Sequence, residues 1–303
     1  YWFESQEVGD GTYLAPEEVQ PINTVSLSQL TLPSELGFLD KNGDEYLNWT
    51  ITTSWTQSTL NRGQNATRGL SQSVAMEVSM PARDLEFYKL TYRAEYYYPL
   101  YRQFTLRFRT ELGYGDGYGD TTGLPFYEHF FAGGFGSVRG YESNTLGPRS
   151  TPAELYRLRQ AITEIDEDGN PTEVGGPDGD QFGYIDEGGK FVVDEVLDDP
   201  DPFGGNVLIE GGVELLFPLP FIKDQRSIRS AVFVDAGNVF NTNCSPAQIN
   251  CFDVDVDEIR YSIGIGVTWI TGFGPMTFSL AKPLNKGEFD EDEPFQFTLG
   301  RGF

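Results

Sequence analysis

The residues able to do covalent or metal chemistry are few. His129 is the only histidine, and Cys244 and Cys251 are the only thiols. No HExxH pair, phosphate-cradling glycine loop or nucleophile constellation accompanies His129, so it reads as a packed loop residue rather than a catalyst. The cysteines are separated by six residues, in "NTNCSPAQINC", which suits neither a CxxC redox motif nor a zinc site. They fit a small loop disulfide formed in an oxidising compartment, with two free thiols as the alternative. "IDEDGNPTE" and "PDGD" suggest calcium, but Gly169 comes too early for an EF-hand and no glutamate closes the loop. The surrounding tract, Glu154 to Asp201, carries 15 acids against three basic residues. It reads as a solvated surface loop, with loose divalent-ion binding as the lesser reading and a short helix at "RLRQAITEI". The sequence therefore predicts no catalytic residue, no metal centre and no cofactor. A net charge of −25 argues against nucleic acid as a partner.

The segment that stands apart is "FYEHFFAGGFGSVRGYESNTLGPR", Phe126 to Arg149. Its turns and glycines read as loop, yet it is rich in aromatics and holds an arginine amid apolar residues. Loops that cross a surface are normally polar. This one has the composition of a loop with an interior to fill.

Around it lies a period-two pattern. Leu47, Trp49, Ile51 and Trp55 alternate with Asn48, Thr50, Thr52 and Ser54. Tyr88, Leu90, Tyr92, Ala94 and Tyr96 alternate with Lys89, Thr91, Arg93 and Glu95. Phe104, Leu106, Phe108 and Leu112 alternate with Thr105, Arg107, Arg109 and Glu111. After an insertion from about 116 to 205 the pattern resumes, with Val207, Ile209, Val213, Leu215 and Phe217 opposite Glu210 and Glu214. With "SQSVAMEVSM", where Val74, Met76, Val78 and Met80 alternate with Ser73, Ala75, Glu77 and Ser79, the segments "SIRSAVFVDAGNVF", "EIRYSIGIGVTWIT", "GPMTFSLAKPL" and "EPFQFTLGRGF" complete nine strands.

Strands this long, apolar on one face and charged on the other, fit an outer-membrane β-barrel whose apolar face meets lipid. A soluble β-sandwich would carry the same periodicity with its polar face outward. Aromatic strand ends at Tyr97, Tyr98, Tyr101, Trp269 and Phe273 favour the membrane. No run of about 18 apolar residues is present. Short turns such as "YPLYRQ" and "ITGFGP" alternate with longer loops, which places the insertion, the cysteine loop and "NKGEFDEDE" outside the cell. Nine strands leave an open edge, and single-chain bacterial barrels have even strand numbers. The chain is therefore expected to lack its N-terminal strands.

The loop closely resembles the sixth extracellular loop of the BamA family of outer-membrane protein assembly factors, whose VRGF/Y motif is matched by Val138, Arg139, Gly140 and Tyr141. "GYGDG", "FVDAGNVF" and the last strand, with Phe295, Phe297, Leu299 and Phe303 as its recognition signal, extend the resemblance over nearly all of residues 1–303. It implies an all-β fold: a transmembrane antiparallel β-barrel of the outer membrane, here the nine-stranded C-terminal portion, strands eight to sixteen, of a sixteen-stranded barrel. The earlier strands and the POTRA domains would precede it. The loop would fold back into the lumen, where a buried arginine needs carboxylate partners. Strand parity offers Glu214 and Asp235, and the resemblance implies the same pairing. Replacing Arg139 by alanine is then expected to leave two uncompensated acids. The implied function is ATP-independent, non-enzymatic folding and insertion of client β-barrels. The implied partners are those clients, accessory lipoproteins of the assembly machinery held mainly by the POTRA domains, lipid and lipopolysaccharide. In that mechanism a weak seam between first and last strands opens to a client strand, and Gly300 and Gly302 would loosen the last strand. The alternatives are a TamA-like translocation and assembly barrel and a passive porin or transporter.

Overall fold

A computed structural model describes residues 4–7, 25–26, 45–63, 65–81, 84–149, 183–185, 190–193, 201–219, 227–244, 250–272 and 274–300. Nine antiparallel strands form one sheet: β1 (Thr50–Ser58), β2 (Gly69–Ser79), β3 (Phe87–Tyr101), β4 (Phe104–Gly117), β5 (Val207–Phe217), β6 (Ile228–Phe240), β7 (Arg260–Thr271), β8 (Gly274–Pro283) and β9 (Phe295–Leu299). Each strand pairs with its neighbours in the chain, so the sheet is a meander from β9 to β1. The connections at 102–103 and 272–273 are two residues long and lie at one end. The connections at 118–206, 241–259 and 284–294 lie at the other end. Among the described residues, β1 and β9 each keep one edge without a strand partner. Residues 183–185, 190–193 and 25–26 form a separate small sheet, and the helix expected at "RLRQAITEI" lies outside the described residues, as do Phe273 and Phe303.

The burial pattern is the reverse of a soluble protein's. Trp49, Ile51, Trp55, Leu90, Phe108, Val213, Ile265, Trp269, Leu280 and Phe297 are all at least 40% exposed and share the outward face. Arg107, Glu210, Glu214, Asp235, Ser262, Thr277 and Gln296 are buried on the inward face. A continuous apolar exterior of this extent is a lipid-contact surface, not the surface of a soluble monomer. That disposes of the sandwich alternative, because periodicity could not say which face was outside and the packed interior does. Tyr97 departs from its expected place. Its side chain points inward and packs with Ala66, Leu216 and Ala231, because it is one residue out of phase with lipid-facing Tyr96. Tyr98, Tyr101 and Trp269 are exposed as strand-end aromatics should be.

Candidate lumen-loop latch

Phe126–Arg149 returns against the inward face of the sheet. Phe130, Ala132, Val138, Tyr141 and Leu146 cluster with Leu208 of β5 and Val239 of β6. This is the interior that the loop's apolar residues fill. Phe130 lies so close to β4 that a Cβ on Gly113 would stand 2.6 Å from its ring. Backbone bonds in both directions between Phe130 and Gly205 close the base of the loop. His129 is half-buried against Phe203, its Nδ1 3.0 Å from the Phe203 carbonyl oxygen, and desolvation there pushes its imidazole down to about 4. That neutral, packed residue matches the reading of His129 as structural.

Val138 and Tyr141 are packed out of contact with water, and Arg139 is 2% exposed. Arg139 donates from Nε to Asp235 Oδ2 (2.6 Å), and from Nη2 to Asp235 Oδ1 (2.9 Å) and Glu214 Oε1 (2.6 Å). Its backbone N–H also donates to Asp235 Oδ2 at 3.3 Å. The Phe233 ring lies across the guanidinium, with its centroid 3.4 Å from Cζ. Together these contacts fix the guanidinium in both plane and direction, which a point-charge lysine could not reproduce. Glu214 and Asp235 are 1% and 0% exposed, so each needs cationic partners to offset the loss of water.

The sheet supplies those donors. Arg107 Nη1 donates to Glu214 Oε2 at 3.0 Å, and its Nη2 donates to Glu95 Oε1 at 2.7 Å. Arg109 Nη2 lies 3.0 Å from Asp235 Oδ1 and also donates to the Ser137 carbonyl, while Nη1 donates to the Gly136 carbonyl at 2.7 Å. Ser137 Oγ in turn donates to Glu210. The site is therefore a network of three arginines and four acids drawn from β3, β4, β5, β6 and the loop. Removing Arg139 would leave Glu214 with Arg107 and Asp235 with Arg109. The expectation of two uncompensated acids is thus wrong, because the sequence reading did not pair β4 with β5. The signal was present, since parity placed Arg107 and Arg109 on the inward face.

Register explains the geometry. Gly212 pairs with Arg109 on one side and Asp235 on the other, so the Arg109–Asp235 bridge spans a residue with no side chain. Gly264 stands opposite Phe233 and leaves room for its ring. Gly140 of the motif has φ +94°, a conformation that favours glycine, and packs against Ala281 of β8.

Gly140 and Tyr141 also pair with Glu293 and Asp292, just before β9. Gln296 of β9 is buried and donates from Nε2 to the Tyr141 carbonyl (2.8 Å), while its Oε1 accepts from the Gly140 N–H (3.4 Å). The tip of the loop is thereby tied to the edge strand. Phe295, Phe297 and Leu299 of the same strand face outward and are exposed, with Phe297 packed on Phe278. Gln296→Leu keeps the volume and removes both bonds, leaving two backbone groups to find new partners. Hydrogen exchange on the full-length protein is expected to show faster exchange across 292–297, equivalent to about 1–3 kcal/mol of lost local stability. Unchanged exchange there would mean that the loop does not support β9.

At the outer end, Cys244 and Cys251 are bonded to each other. Asn250, beside Cys251, donates from Nδ2 to the Gly147 carbonyl at 3.0 Å, so the bridged loop touches the end of the lumen loop. Among the described residues there is no cluster of His, Cys, Asp or Glu arranged to hold a metal ion.

Comparison with known proteins gives this arrangement its context. The Omp85 superfamily domain matches residues 13–303. The outer membrane protein assembly factor BamA of Neisseria meningitidis serogroup B is 34% identical over 268 residues, covering 83% of this chain and 28% of that protein. BamA of Neorickettsia risticii is 24% identical over 137 residues, covering 40% of this chain and 18% of that one. The crystal structure of BamA from Haemophilus ducreyi lacking POTRA domains 1–3 superposes with a TM-score of 0.62 at 27% identity, over 84% of this chain and 42% of that one. This chain thus spans under a third of the length of either curated relative. On the strength of a domain match from residue 13 to residue 303, the chain belongs to the Omp85 superfamily.

Proposed function

We propose that this chain is the C-terminal part of the barrel of an outer-membrane protein assembly factor, which folds client β-barrels and inserts them into the outer membrane without covalent chemistry or nucleotide. The observation that carries the reading is a long loop seated inside a lipid-facing sheet on a buried arginine network. A passive porin keeps water where this loop sits. The similarity to proteins named assembly factors points the same way. On this reading the earlier barrel strands and the POTRA domains complete the protein. Its partners are unfolded client barrels, accessory lipoproteins and outer-membrane lipid, including lipopolysaccharide. On this reading the outer edge of β9, which has no strand partner among the described residues, forms the seam with the barrel's first strand, and a client strand would pair there by β-augmentation when the seam opens.

The test uses the full-length protein in liposomes, presented with an unfolded client barrel. Client appearing as a folded, protease-resistant band faster than in empty liposomes, and more slowly with Arg139→Ala, is the expected result. No acceleration over empty liposomes, together with steady pore conductance, would favour the transporter reading.

A further inference from the structure

Lys282 is the one basic side chain on the outward face of the nine strands, among the described residues. It follows Met276, Phe278 and Leu280 on the lipid-facing side of β8 and pairs across to Ile263 of β7. It is exposed, and no described carboxylate or carbonyl bonds its ammonium. In a chain of net charge −25, whose other strand cations face inward, an unpaired outward cation is out of character. Beneath it lies a groove of about 510 Å³ lined by Ile263, Leu280, Pro283 and Pro294, with Lys286 and Asp292 at its rim. Lys286 Nζ is held by Asp292, which leaves the three charged groups of the groove with a net charge of +1.

This groove lies at the end of the sheet that carries the long loops, where the strands leave the membrane's outer leaflet on the reading above. A lipid-facing lysine at mid-membrane would be expensive, whereas at this level its stem lies along apolar surface and its ammonium reaches the headgroups.

We propose that the groove binds the phosphorylated headgroup of an outer-leaflet lipid, with Lys282 on the phosphoryl group, Lys286 as a second donor positioned by Asp292, and Ile263 and Leu280 against the first part of an acyl chain. The combination of cation and apolar floor selects an amphiphile over a free anion, because inorganic phosphate gains nothing from Ile263 and Leu280. The inference rests on the outer-membrane placement of the strands.

The experiment uses the full-length protein in phosphatidylcholine nanodiscs doped with lipid A or with enzymatically dephosphorylated lipid A, reading bound lipid by native mass spectrometry. A lysine near an anionic surface contributes about fivefold in binding, so Lys282→Gln should reduce retained lipid A about fivefold and Lys282→Gln with Lys286→Gln further. Lys282→Arg should retain it. Equal retention of phosphorylated and dephosphorylated lipid, no effect of Lys282→Gln, or complete displacement by millimolar inorganic phosphate would each overturn the proposal. Client folding measured in the same preparations without lipid A should be unchanged by Lys282→Gln. Its absence in the unsubstituted protein would count against the assembly reading instead, so the two failures are distinguishable.

Discussion

Asp235→Ala is expected to harm this protein more than Arg139→Ala, although Arg139 is the residue of the recognisable motif. Asp235 is fully buried and accepts from Arg139 Nε, Nη2 and backbone N–H, and it also pairs with Arg109. Its removal leaves Arg139 with Glu214 as its one carboxylate partner and Arg109 with only the Gly136 and Ser137 carbonyls. Breaking a buried pair in this way costs about 3–5 kcal/mol, and the shared acceptor belongs at the upper end. Arg139→Ala also removes the stack on Phe233, but Arg107 and Arg109 still hold the two acids, so its cost belongs near about 3 kcal/mol. Arg139→Lys should rescue poorly, because an ammonium cannot donate to Glu214 and Asp235 in the same plane.

The checks are urea unfolding of the full-length protein, followed by gel mobility of the folded barrel, and protease access to the lumen loop. A double-mutant cycle should return a coupling of roughly 0.5–3 kcal/mol between Arg139 and Asp235. Additive single effects would remove the pairing from the account of the loop. If Asp235→Ala does not fold, Asp235→Asn supplies the comparison, since it keeps the shape while losing the charge and one of the two accepting oxygens.

Gly212→Ala is the second large effect, at a residue that no motif marks. A Cβ there would lie 2.4 Å from Asp235 Oδ1 and 3.0 Å from Arg109 Nε. The methyl group would enter the bridge between the two side chains, so relief requires Asp235 or Arg109 to move. Any movement of Asp235 is passed to Arg139, because the same carboxylate holds both. Overpacking of this kind costs about 1–3 kcal/mol, and the loop should loosen along with the strand pairing. Gly211→Ala is the control. It is the neighbouring residue, and its added Cβ would press on the Arg109 carbonyl oxygen at 3.0 Å but meet neither side chain of the bridge. Loop protease sensitivity raised by Gly212→Ala and not by Gly211→Ala is the expected outcome. Equal effects of the two would show that the loss lies in general strand packing and not in the bridge.

Much of this was legible in the sequence because barrel strands write their environment in period two. Parity from Trp49 to Phe297 separated the two faces, and the apolar, glycine-rich run from Phe126 to Arg149 marked a loop with an interior. Motif and parity together named Arg139, Glu214 and Asp235 before any geometry was known. What parity cannot carry is the choice of outward face, the register between strands, or the path of a loop. The soluble and membrane readings differed only in which face met the packed interior, and only the folded sheet decides that.

The same limit explains the residues that were missed. Arg107 and Arg109 were visible as inward-facing cations, but their pairing with Glu214 and Asp235 depends on β4 lying beside β5 across an insertion of nearly ninety residues. Gly212 acquires its meaning only when Arg109 and Asp235 stand on either side of it. Gln296 read as one polar residue in an alternating strand until the loop tip was laid against it. Local chemistry and alternation are properties of neighbours in the chain, so the sequence by itself determined strands, faces and the key arginine. Which charges meet inside the barrel is a property of neighbours in space, and the tertiary structure alone decided it.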